Sequence, residues 1–539
     1  MWILLAAKWD AEGRRVDWYG PGAAPGALEL GAPVDAAAVE ALRAAGVRIR
    51  TCSRWLNAVS GTASVEVLAR VRRHPYVHDV VPVRRLRAPS PQAEVEGSAA
   101  RPALAASDAG LAYQQLAQIG VLALHSRGLT GHGVRVAVLD NGFHCAQHKA
   151  MASVRVVASR DFINGDDIVS DEVGQPVTGD ETKSSQNIHG AQVLSILAGS
   201  DPGRFLGVAP AAEYVLAKTE DNGVEMPVEE DRWVAGLEWA DSLGARIISS
   251  SLGYNVWDDG TGYSYAELDG ATAVCSRAAA AAVARGIVVV VAAGNEGSTA
   301  WRHVTAPADA PGVIAVGAVD MPPAGTRLPL VAASSSRGPT ADGRVKPDVV
   351  APGQGVVAAD IRGTDYVRVS GTSFATPIVA GVCALLLQAH PEWGPSEVLA
   401  RLRATATDLG DPGPDNDYGW GQVDALAASG LGGAVPDASM ALAPYPNPVR
   451  GDQVRFPVKL ATATRLRLGV FTAAGERVHT EEWPLAPGEY VAVGLVPTWD
   501  LRSTEARLGC RLANGCYLYE LSCERFHRRG VVALVRGRD

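Results

Sequence analysis

Apolar and polar positions divide the chain into three segments with different periodicities. In residues 1–90 the short apolar run WILLA precedes a stretch with helical spacing, VDAAAVEALRAAG at 34–46, and a second such stretch that ends at Pro75. Asp35 is the expected N-cap of the first helix, and Gly46 is its expected stop. This mixture of short strands and helices predicts a small α/β domain.

Residues 116–430 alternate apolar strands with helices. Runs such as VRVAVLD at 134–140 and IVVVVAAG at 287–294 are apolar nearly throughout. Continuous apolar strands separated by helices are typical of a parallel sheet that is covered on both faces. We therefore predict a doubly wound α/β domain. Two stretches rich in small residues and proline, 91–115 and 431–442, are the expected linkers.

The last segment, residues 443–539, changes to a period of two. RLRLGVF at 465–471 and the later YLYEL alternate apolar and polar residues. The dipeptide Asn514-Gly515 predicts a hairpin turn. Roughly a hundred residues of this texture fit an all-β sandwich.

Composition narrows the class of protein. The chain has 539 residues, of which 47% are hydrophobic and 20% charged, and its net charge is −9. A large core is therefore expected, and no basic face for nucleic acid is implied. The seven cysteines include no CxxC, which argues against a structural zinc site. Cys510 and Cys516 flank the Asn-Gly dipeptide, and both a disulfide and free thiols remain open.

Membrane and export signals are not expected from the apolar runs. No run reaches the roughly 18 uninterrupted apolar residues that a membrane span needs. The N-terminal MWILLAAKWDAEG lacks the basic flank of a signal peptide and is interpreted as the first strand.

Three residues with complementary chemistry stand where strands end or helices begin. Asp140 ends VRVAVLD, His189 begins a helix, and Ser373 begins a long apolar helix that contains Pro377. Functional groups of a parallel sheet gather at the carboxyl ends of its strands. An acid, a base and a hydroxyl brought together there are the components of nucleophilic catalysis. Asn295, which follows another strand, can supply an amide donor to an oxyanion. Taken singly, Asp140, His189 and Ser373 are better explained as structural cap or turn residues, and Asn295 can be a turn residue.

The order Asp…His…Ser and four segments resemble the subtilisin-like serine peptidases, the subtilases, over about residues 116–430. GTSFATP matches the family's serine segment at every fixed position, AAGNEG matches the oxyanion segment, and KPDVVAPG matches a third. SSLGY resembles the strand that pairs with the substrate main chain. The resemblance implies the following roles: Ser373 nucleophile, His189 general base and acid, Asp140 orienter, and Asn295 oxyanion donor with the Ser373 N–H. It implies substrate contacts at Ser251, Leu252, Gly253, Ala293 and Gly294.

Two segments depart from the family pattern. The aspartate segment reads DNG instead of D-S/T-G, and the histidine segment reads HGAQV instead of H-G-T-H-V, with Ala191 and Gln192 at the changed positions. Because no triad residue is lost, the resemblance implies a serine endopeptidase that forms an acyl-enzyme on Ser373. The alternative is an inactive subtilase-fold module for binding or adhesion. The resemblance places the base of the main specificity pocket at about residues 298–307, without indicating the preferred side chain.

The flanking segments carry resemblances of their own. Residues 1–90, most clearly SRWLNAVSG, resemble a subtilase propeptide, which inhibits the enzyme and is removed by self-cleavage. Cleavage is expected between Val83 and Ala109, which places the processing site in the linker region, near the basic RRLR. YPNPV, VFTAAGERV, TWDLRS and LANGCYLYEL resemble the Ig-like tails of flagellar hook-capping proteins and surface-sorting modules. Together these resemblances imply a secreted or cell-surface bacterial enzyme that acts on proteins or peptides.

No cofactor is expected to be required, and calcium is the metal that the resemblance suggests. The acids that could ligate it are Asp161, Asp166, Asp167, Glu220 and Asp221. Their spacing does not match a known calcium loop, so solvated acids are the favoured interpretation. A second acidic group at 229–231 begins a helix, where the dipole favours negative charge. Its alternative role is to rim a substrate subsite that prefers basic side chains.

Overall fold

The computed structural model describes most of the chain, with interruptions. The described residues are 1–9, 15–18, 30, 32–81, 109–125, 127–144, 148–171, 188–201, 203–221, 225–258, 260–322, 328–431, 440–441, 444, 447–449, 452–460, 464–485, 488–490, 497–523 and 526–535. The expected cleavage window and most of both linkers lie outside the described residues, so the predicted domain boundaries remain predictions.

The N-terminal segment is built on a four-stranded antiparallel sheet in the order β4-β5-β1-β6. Asp35 accepts a hydrogen bond of 2.8 Å from the Ala37 N–H, and Gly46 has a φ of +100°. Both predicted ends of the first helix are therefore confirmed. The elements are β1 (Trp2–Leu5), β2 (Ala7–Trp9), β3 (Arg15–Asp17), α1 (Ala36–Ala44), β4 (Arg48–Ser53), β5 (Ala58–Thr62), α2 (Val65–Val71) and β6 (Val77–Val81).

Strand β1 is buried on both faces. Because side chains alternate along a strand, Ile3 packs with Leu42 of α1 in one apolar cluster, whereas Trp2 belongs to another cluster together with Trp233. The first cluster is the core of this segment, and the second joins it to the central unit. The N-terminal segment is therefore docked through an apolar face.

The central unit contains a seven-stranded parallel sheet in the order β15-β14-β13-β12-β7-β11-β8. The strands of this sheet are β7 (Arg135–Asp140), β8 (Arg155–Asp161), β11 (Glu213–Lys218), β12 (Ile247–Ser250), β13 (Val288–Ala292), β14 (Ile314–Val319) and β15 (Val349–Pro352). Two further pairs of strands form small separate sheets: β9 (Ser200–Asp201) with β10 (Phe205–Leu206), and β16 (Val356–Ala359) with β17 (Tyr366–Val369). The helices of the central unit are α3 (Tyr113–Ala117), α4 (Val121–His125), α5 (Ile188–Ala198), α6 (Val228–Ser242), α7 (Val274–Ala284), α8 (Thr372–Ala389), α9 (Pro395–Thr405) and α10 (Ala425–Ala428).

Two apolar cores cover the two faces of this sheet. In β7, Val138 belongs to the core that contains Leu385 of α8, and the next residue, Leu139, belongs to the core that contains Leu237 of α6. Burial on both faces explains why these strands are continuously apolar. The predicted doubly wound α/β fold is confirmed.

Helix α8 runs through the first of these cores. A Cβ atom at Gly381 would lie 2.5 Å from two side-chain carbons of Val208, so only glycine permits this packing. Within the described residues, α8 is the one helix that is long and apolar enough to cross a membrane, with 18 residues and a mean hydropathy of 1.6. However, 89% of it is buried inside the protein, as in the core helix of a globular domain.

The C-terminal segment contains antiparallel sheets, the largest in the order β22-β21-β25-β26. Trp499, Phe456 and Leu468 are fully buried in a separate apolar core. The elements are β18 (Met440–Ala441), β19 (Gln453–Arg455), β20 (Val458–Leu460), β21 (Thr464–Phe471), β22 (Arg477–Leu485), β23 (Gly488–Tyr490), β24 (Thr498–Asp500), α11 (Leu501–Leu508), β25 (Gly515–Ser522) and β26 (His527–Leu534).

The antiparallel sheets of this segment agree with the predicted fold class, but two local features differ from the prediction. Helix α11 interrupts the expected all-β pattern, because Asp500 caps it by accepting from the Ser503 N–H and Gly509 ends it with a φ of +68°. Asn514-Gly515 connects this helix to β25 and is not a hairpin turn between paired strands. Cys510 and Cys516 are free thiols, so the alternative of a disulfide is excluded.

Candidate active site

Asp140 and His189 are joined by a hydrogen bond at the carboxyl edge of the parallel sheet. Asp140 is the last residue of β7, and His189 is the second residue of α5. The Asp140 carboxylate is fully buried, and its Oδ1 lies 2.7 Å from Nδ1 of His189. The same oxygen accepts from the Asn141 N–H at 2.8 Å. The acid and base of the predicted triad are thus brought together.

The two segments that depart from the family pattern lie next to the Asp140–His189 pair, and the structure accommodates both. In the DNG segment, Oδ1 of Asn141 accepts a hydrogen bond of 3.0 Å from the Gly190 N–H, which ties the turn after β7 to the first turn of α5. Ala191 and Gln192 are both buried within α5. A Cβ atom at Gly190 would lie 2.3 Å from the Gly142 carbonyl oxygen, so glycine is required for this close approach.

The protonation of His189 is controlled mainly by two opposing effects. Burial of the ring disfavours the imidazolium, but the charge and hydrogen bond of Asp140 favour it more strongly. As a result the pKa of His189 is raised above its ordinary value. Nδ1 is occupied by the carboxylate, which leaves Nε2 as the nitrogen for proton exchange with a substrate or a nucleophile.

Ser373 is the second residue of α8 and therefore lies in its first turn. Its neighbour Phe374 has a ring centroid 5.5 Å from that of His189. The Ser373 hydroxyl donates to the Ser251 carbonyl over 3.2 Å, and the Ser251 hydroxyl donates to the Ser373 carbonyl over 2.7 Å. That carbonyl lacks its usual helical donor, because the residue four positions later is Pro377. Among the described residues, no hydrogen bond joins Ser373 to His189.

The Asn295 side chain lies next to the start of α8. Its Oδ1 accepts from the Thr372 N–H at 2.9 Å and from the Thr372 hydroxyl at 3.1 Å. Because the oxygen is engaged, the amide nitrogen is the side-chain group left to donate. The Ser373 N–H, in the first turn of α8, has no intrahelical acceptor. Two donors therefore lie near the start of α8.

The predicted substrate-binding residues fall on two segments that follow β12 and β13. Within the described chain, the backbone groups of Leu252 and Gly253 have no hydrogen-bond partner, and Gly253 is exposed. Ala293 is fully buried, and both its backbone groups are bonded inside the protein. Gly294, with a φ of +109°, donates no backbone hydrogen bond to the described residues. Leu252 and Gly253 thus keep backbone groups without a partner among the described residues, whereas Ala293 is enclosed in the protein.

Two of the acids interpreted as solvated are buried, so that interpretation is wrong for them. Asp161 forms an ion pair of 2.9 Å with Lys218, and both side chains are inaccessible to solvent. Glu220 accepts from the Tyr254 hydroxyl at 2.7 Å, and burial raises the pKa of Glu220 to about 7. The described residues contain no group of three or more His, Cys, Asp or Glu that could hold a metal ion. These acids are therefore not gathered into one such group.

The acidic group at the start of α6 is also buried, and each carboxylate has a partner. Glu229 accepts from the N–H groups of Asp221 and Met226, at 3.0 and 2.9 Å. Glu230 accepts from the Tyr263 hydroxyl at 2.8 Å. The sequence predicted these acids at the positive end of the helix dipole. Their burial depends on neighbouring segments that pack against α6, and the sequence pattern does not show this packing.

Carboxylates of α6 also hold the N-terminal segment. Arg50 lies 2.6 Å from a carboxylate oxygen of Asp231. Glu238 accepts from the Ser53 hydroxyl at 2.5 Å and from the Arg54 N–H at 3.1 Å. The sequence did not predict this contact between α6 and the N-terminal segment. Charged residues of either segment, considered alone, are expected to face solvent.

Comparison with known proteins gives one family and several relatives. Residues 131–421 match the model of the Subtilase family, Peptidase S8. Subtilisin E of Bacillus subtilis (strain 168) is 35% identical over 316 residues, which are 58% of this chain and 70% of that protein. Subtilisin BL of Lederbergia lenta is 32% identical over 318 residues, 58% of this chain and 97% of that protein. The solved structure of the prenylagaramide maturation protease PagA is 25% identical, covers 58% of this chain and 98% of its own, and has a TM-score of 0.44.

Proposed function

The chain belongs to the subtilase family of serine peptidases, and on that premise we propose that it is an endopeptidase that cleaves proteins or peptides through an acyl-enzyme on Ser373. The observation that carries the proposal is the 2.7 Å hydrogen bond between buried Asp140 and His189. Ser373 lies in the first turn of α8, and the ring of the next residue, Phe374, has its centroid 5.5 Å from that of His189. This is the arrangement of acid, base and nucleophile that serine hydrolysis requires.

The reaction begins with a rotation of the Ser373 hydroxyl. Its present hydrogen bond to the Ser251 carbonyl is 3.2 Å long, which is at the weak end for such bonds. The hydroxyl can therefore turn toward Nε2 of His189, which takes its proton as the oxygen attacks the scissile carbonyl. Asp140 keeps the ring oriented and stabilises the imidazolium.

The tetrahedral intermediate carries a negative oxygen. The Asn295 amide and the Ser373 N–H donate to it. His189 then returns the proton to the leaving amine, and the acyl-enzyme forms. Water, activated by the same imidazole, hydrolyses the ester and regenerates the serine.

Labelling by a fluorophosphonate probe tests this proposal. We expect the full-length protein to label and to cleave a denatured protein, and Ser373→Ala to do neither. Ser370→Ala is the matched control, because Ser370 lies just before α8 and its hydroxyl accepts from the Gly355 N–H. Failure of the wild type to label and to cleave would favour the alternative, an inactive binding or adhesion module.

We also propose that residues 1–90 are an inhibitory propeptide removed by self-cleavage. Support comes from the separate core of this segment and from its docking on α6 through Trp2, Arg50 and Arg54. The expected cut, between residues 83 and 109, leaves this domain held only by noncovalent contacts.

The remaining proposals concern environment and metal. The C-terminal segment, with its own core and antiparallel sheets, supports an Ig-like tail and hence a secreted or cell-surface enzyme. No cofactor enters the proposed chemistry, and calcium, if bound, has a structural role. Activity that survives EDTA while the melting temperature falls would identify such a calcium.

A further inference from the structure

Asn141 links the end of β7 to the first turn of α5. The residue follows Asp140 directly and is only 3% exposed. Its Oδ1 accepts a hydrogen bond of 3.0 Å from the N–H of Gly190, the third residue of α5. The first four N–H groups of a helix have no acceptor within the helix. The Asn141 side chain therefore caps α5 from a position 49 residues earlier in the chain.

Two consecutive residues, Asp140 and Asn141, thus hold two consecutive residues of α5. The Asp140 carboxylate binds the ring of His189, 2.7 Å from its Nδ1, and Asn141 binds the backbone N–H of Gly190. The Asn141 N–H also donates to Oδ1 of Asp140 over 2.8 Å, which ties the acid to the same turn. A single hydrogen bond to the imidazole would leave the backbone beneath it free to shift, and the bond from Asn141 removes that freedom.

The length and the charge of the Asn141 side chain both suit this contact. In a serine or threonine, the residues of the family pattern at this position, the hydroxyl lies one covalent bond closer to the backbone and would fall short of the Gly190 N–H. An aspartate has the required reach, but it would add a second negative charge beside the buried Asp140. That charge would favour the imidazolium of His189. Asparagine supplies the acceptor without changing the charge around the base.

We propose that Asn141 is a positioning residue for His189, and that by capping α5 at Gly190 it holds the imidazole in the orientation from which Nε2 takes the Ser373 proton. The inference rests on the proposed function. Loss of the cap should lower kcat, because a displacement of about 1 Å can cost 10²-fold in rate. It should change KM little, because the buried Asn141 side chain bonds to the protein's own backbone. Restoring the family's serine at this position should therefore impair the enzyme.

Steady-state kinetics with one peptide substrate test the proposal. We expect Asn141→Ala and Asn141→Ser each to lower kcat at least tenfold, with KM unchanged within about twofold. Asn141→Asp keeps the acceptor, so it should recover kcat at alkaline pH, while the acid limb of the kcat/KM profile moves to higher pH. Asp424→Ala is the matched control, because it removes a cap on the Ala427 N–H, 2.9 Å long, from α10. It should leave kcat and the acid limb unchanged.

Labelling by the fluorophosphonate probe distinguishes failure of this inference from failure of the proposed function. A wild type that neither labels nor hydrolyses any peptide overturns both. In a wild type that does both, Asn141→Ser with an unchanged kcat overturns the inference alone, and so does an equal loss of kcat in Asp424→Ala. If Asn141→Ala does not fold, Asn141→Asp decides, and a kcat in that variant as low as that of Asn141→Ser at every pH overturns the inference.

Discussion

Thr372 holds the Asn295 side chain by two hydrogen bonds, from its backbone N–H at 2.9 Å and from its hydroxyl at 3.1 Å. The residue that precedes the proposed nucleophile therefore fixes the amide that is proposed to stabilise the oxyanion. One helix start thus positions both groups, so a shift of α8 would move them together.

Removal of the Asn295 amide should slow the chemical step more than it weakens binding. We expect Asn295→Ala to lower kcat about 10²–10³-fold with little change in KM, the range seen when one oxyanion donor is removed. Thr372→Val keeps the amide and removes one of its two supports, so its loss should be smaller. Steady-state kinetics measure both variants, and an effect confined to KM would contradict the assigned role.

The pH profile of kcat/KM reports the protonation of His189 in the free enzyme. The base must be neutral, and burial, which lowers the pKa of His189, is outweighed by Asp140, which raises it. Activity should therefore fall as pH decreases through a value above the ordinary histidine pKa of about 6.5. Asp140→Asn should move this acid limb to lower pH and reduce kcat about 10⁴-fold. An optimum near pH 4 in the wild type would be incompatible with His189 as the base.

Gly190 should tolerate no side chain. In Gly190→Ala the new methyl group would meet the Gly142 carbonyl oxygen at 2.3 Å, so the start of α5 and its histidine must move. A displacement of about 1 Å can cost 10²-fold in rate, and we expect a kcat/KM loss of that order. Gly363→Ala is the matched control, because a Cβ there meets nothing within 4 Å. Equal activity of the two variants would show that the contact does not position His189.

The docking of the N-terminal domain should depend on Glu238. In Glu238→Ala the Arg54 and Trp55 N–H groups lose an acceptor, at 3.1 and 3.3 Å in the wild type, at a cost of about 1–3 kcal/mol for each buried donor left unpaired. We expect a separately added 1–90 fragment to inhibit the mature variant at least tenfold less well than the mature wild type. Glu397→Ala, which removes an exposed ion pair with Arg401, should leave inhibition unchanged.

Self-cleavage provides a second test of the proposal that residues 1–90 are a removable propeptide. From the chain mass of 56.2 kDa over 539 residues, loss of the first 90 residues should shorten the wild type by about 9 kDa, whereas Ser373→Ala should stay full length. Gel mobility and N-terminal sequencing follow this change. Wild type that is active with its Met-Trp-Ile terminus intact, and indifferent to the added fragment, would show that the domain has another function.

The sequence was most informative where local chemistry and periodicity agree. The apolar strands, the capped helix after Asp35 and the parallel sheet follow from patterns that depend on few distant contacts. It failed at 501–515, where Asp500 and Gly509 cap a helix inside a segment with β texture and the Asn-Gly dipeptide leads out of that helix. Whether a short local signal of this kind forms a turn or a helix end depends on which strands pair around it.

By itself the sequence determined the alternating α/β order. Its motifs placed Asp140, His189, Ser373 and Asn295 at the ends of strands and the starts of helices. Because parallel strands share one polarity, such ends lie at one edge of the sheet. Only the tertiary structure decided which acids are buried, since the partners of Asp161, Glu220 and Asp231 are distant in sequence. It also decided that Asn141 caps α5 at Gly190, a residue that lies 49 positions away in the sequence. Periodicity reports the face on which a side chain lies, but distances across a site depend on how separate segments pack.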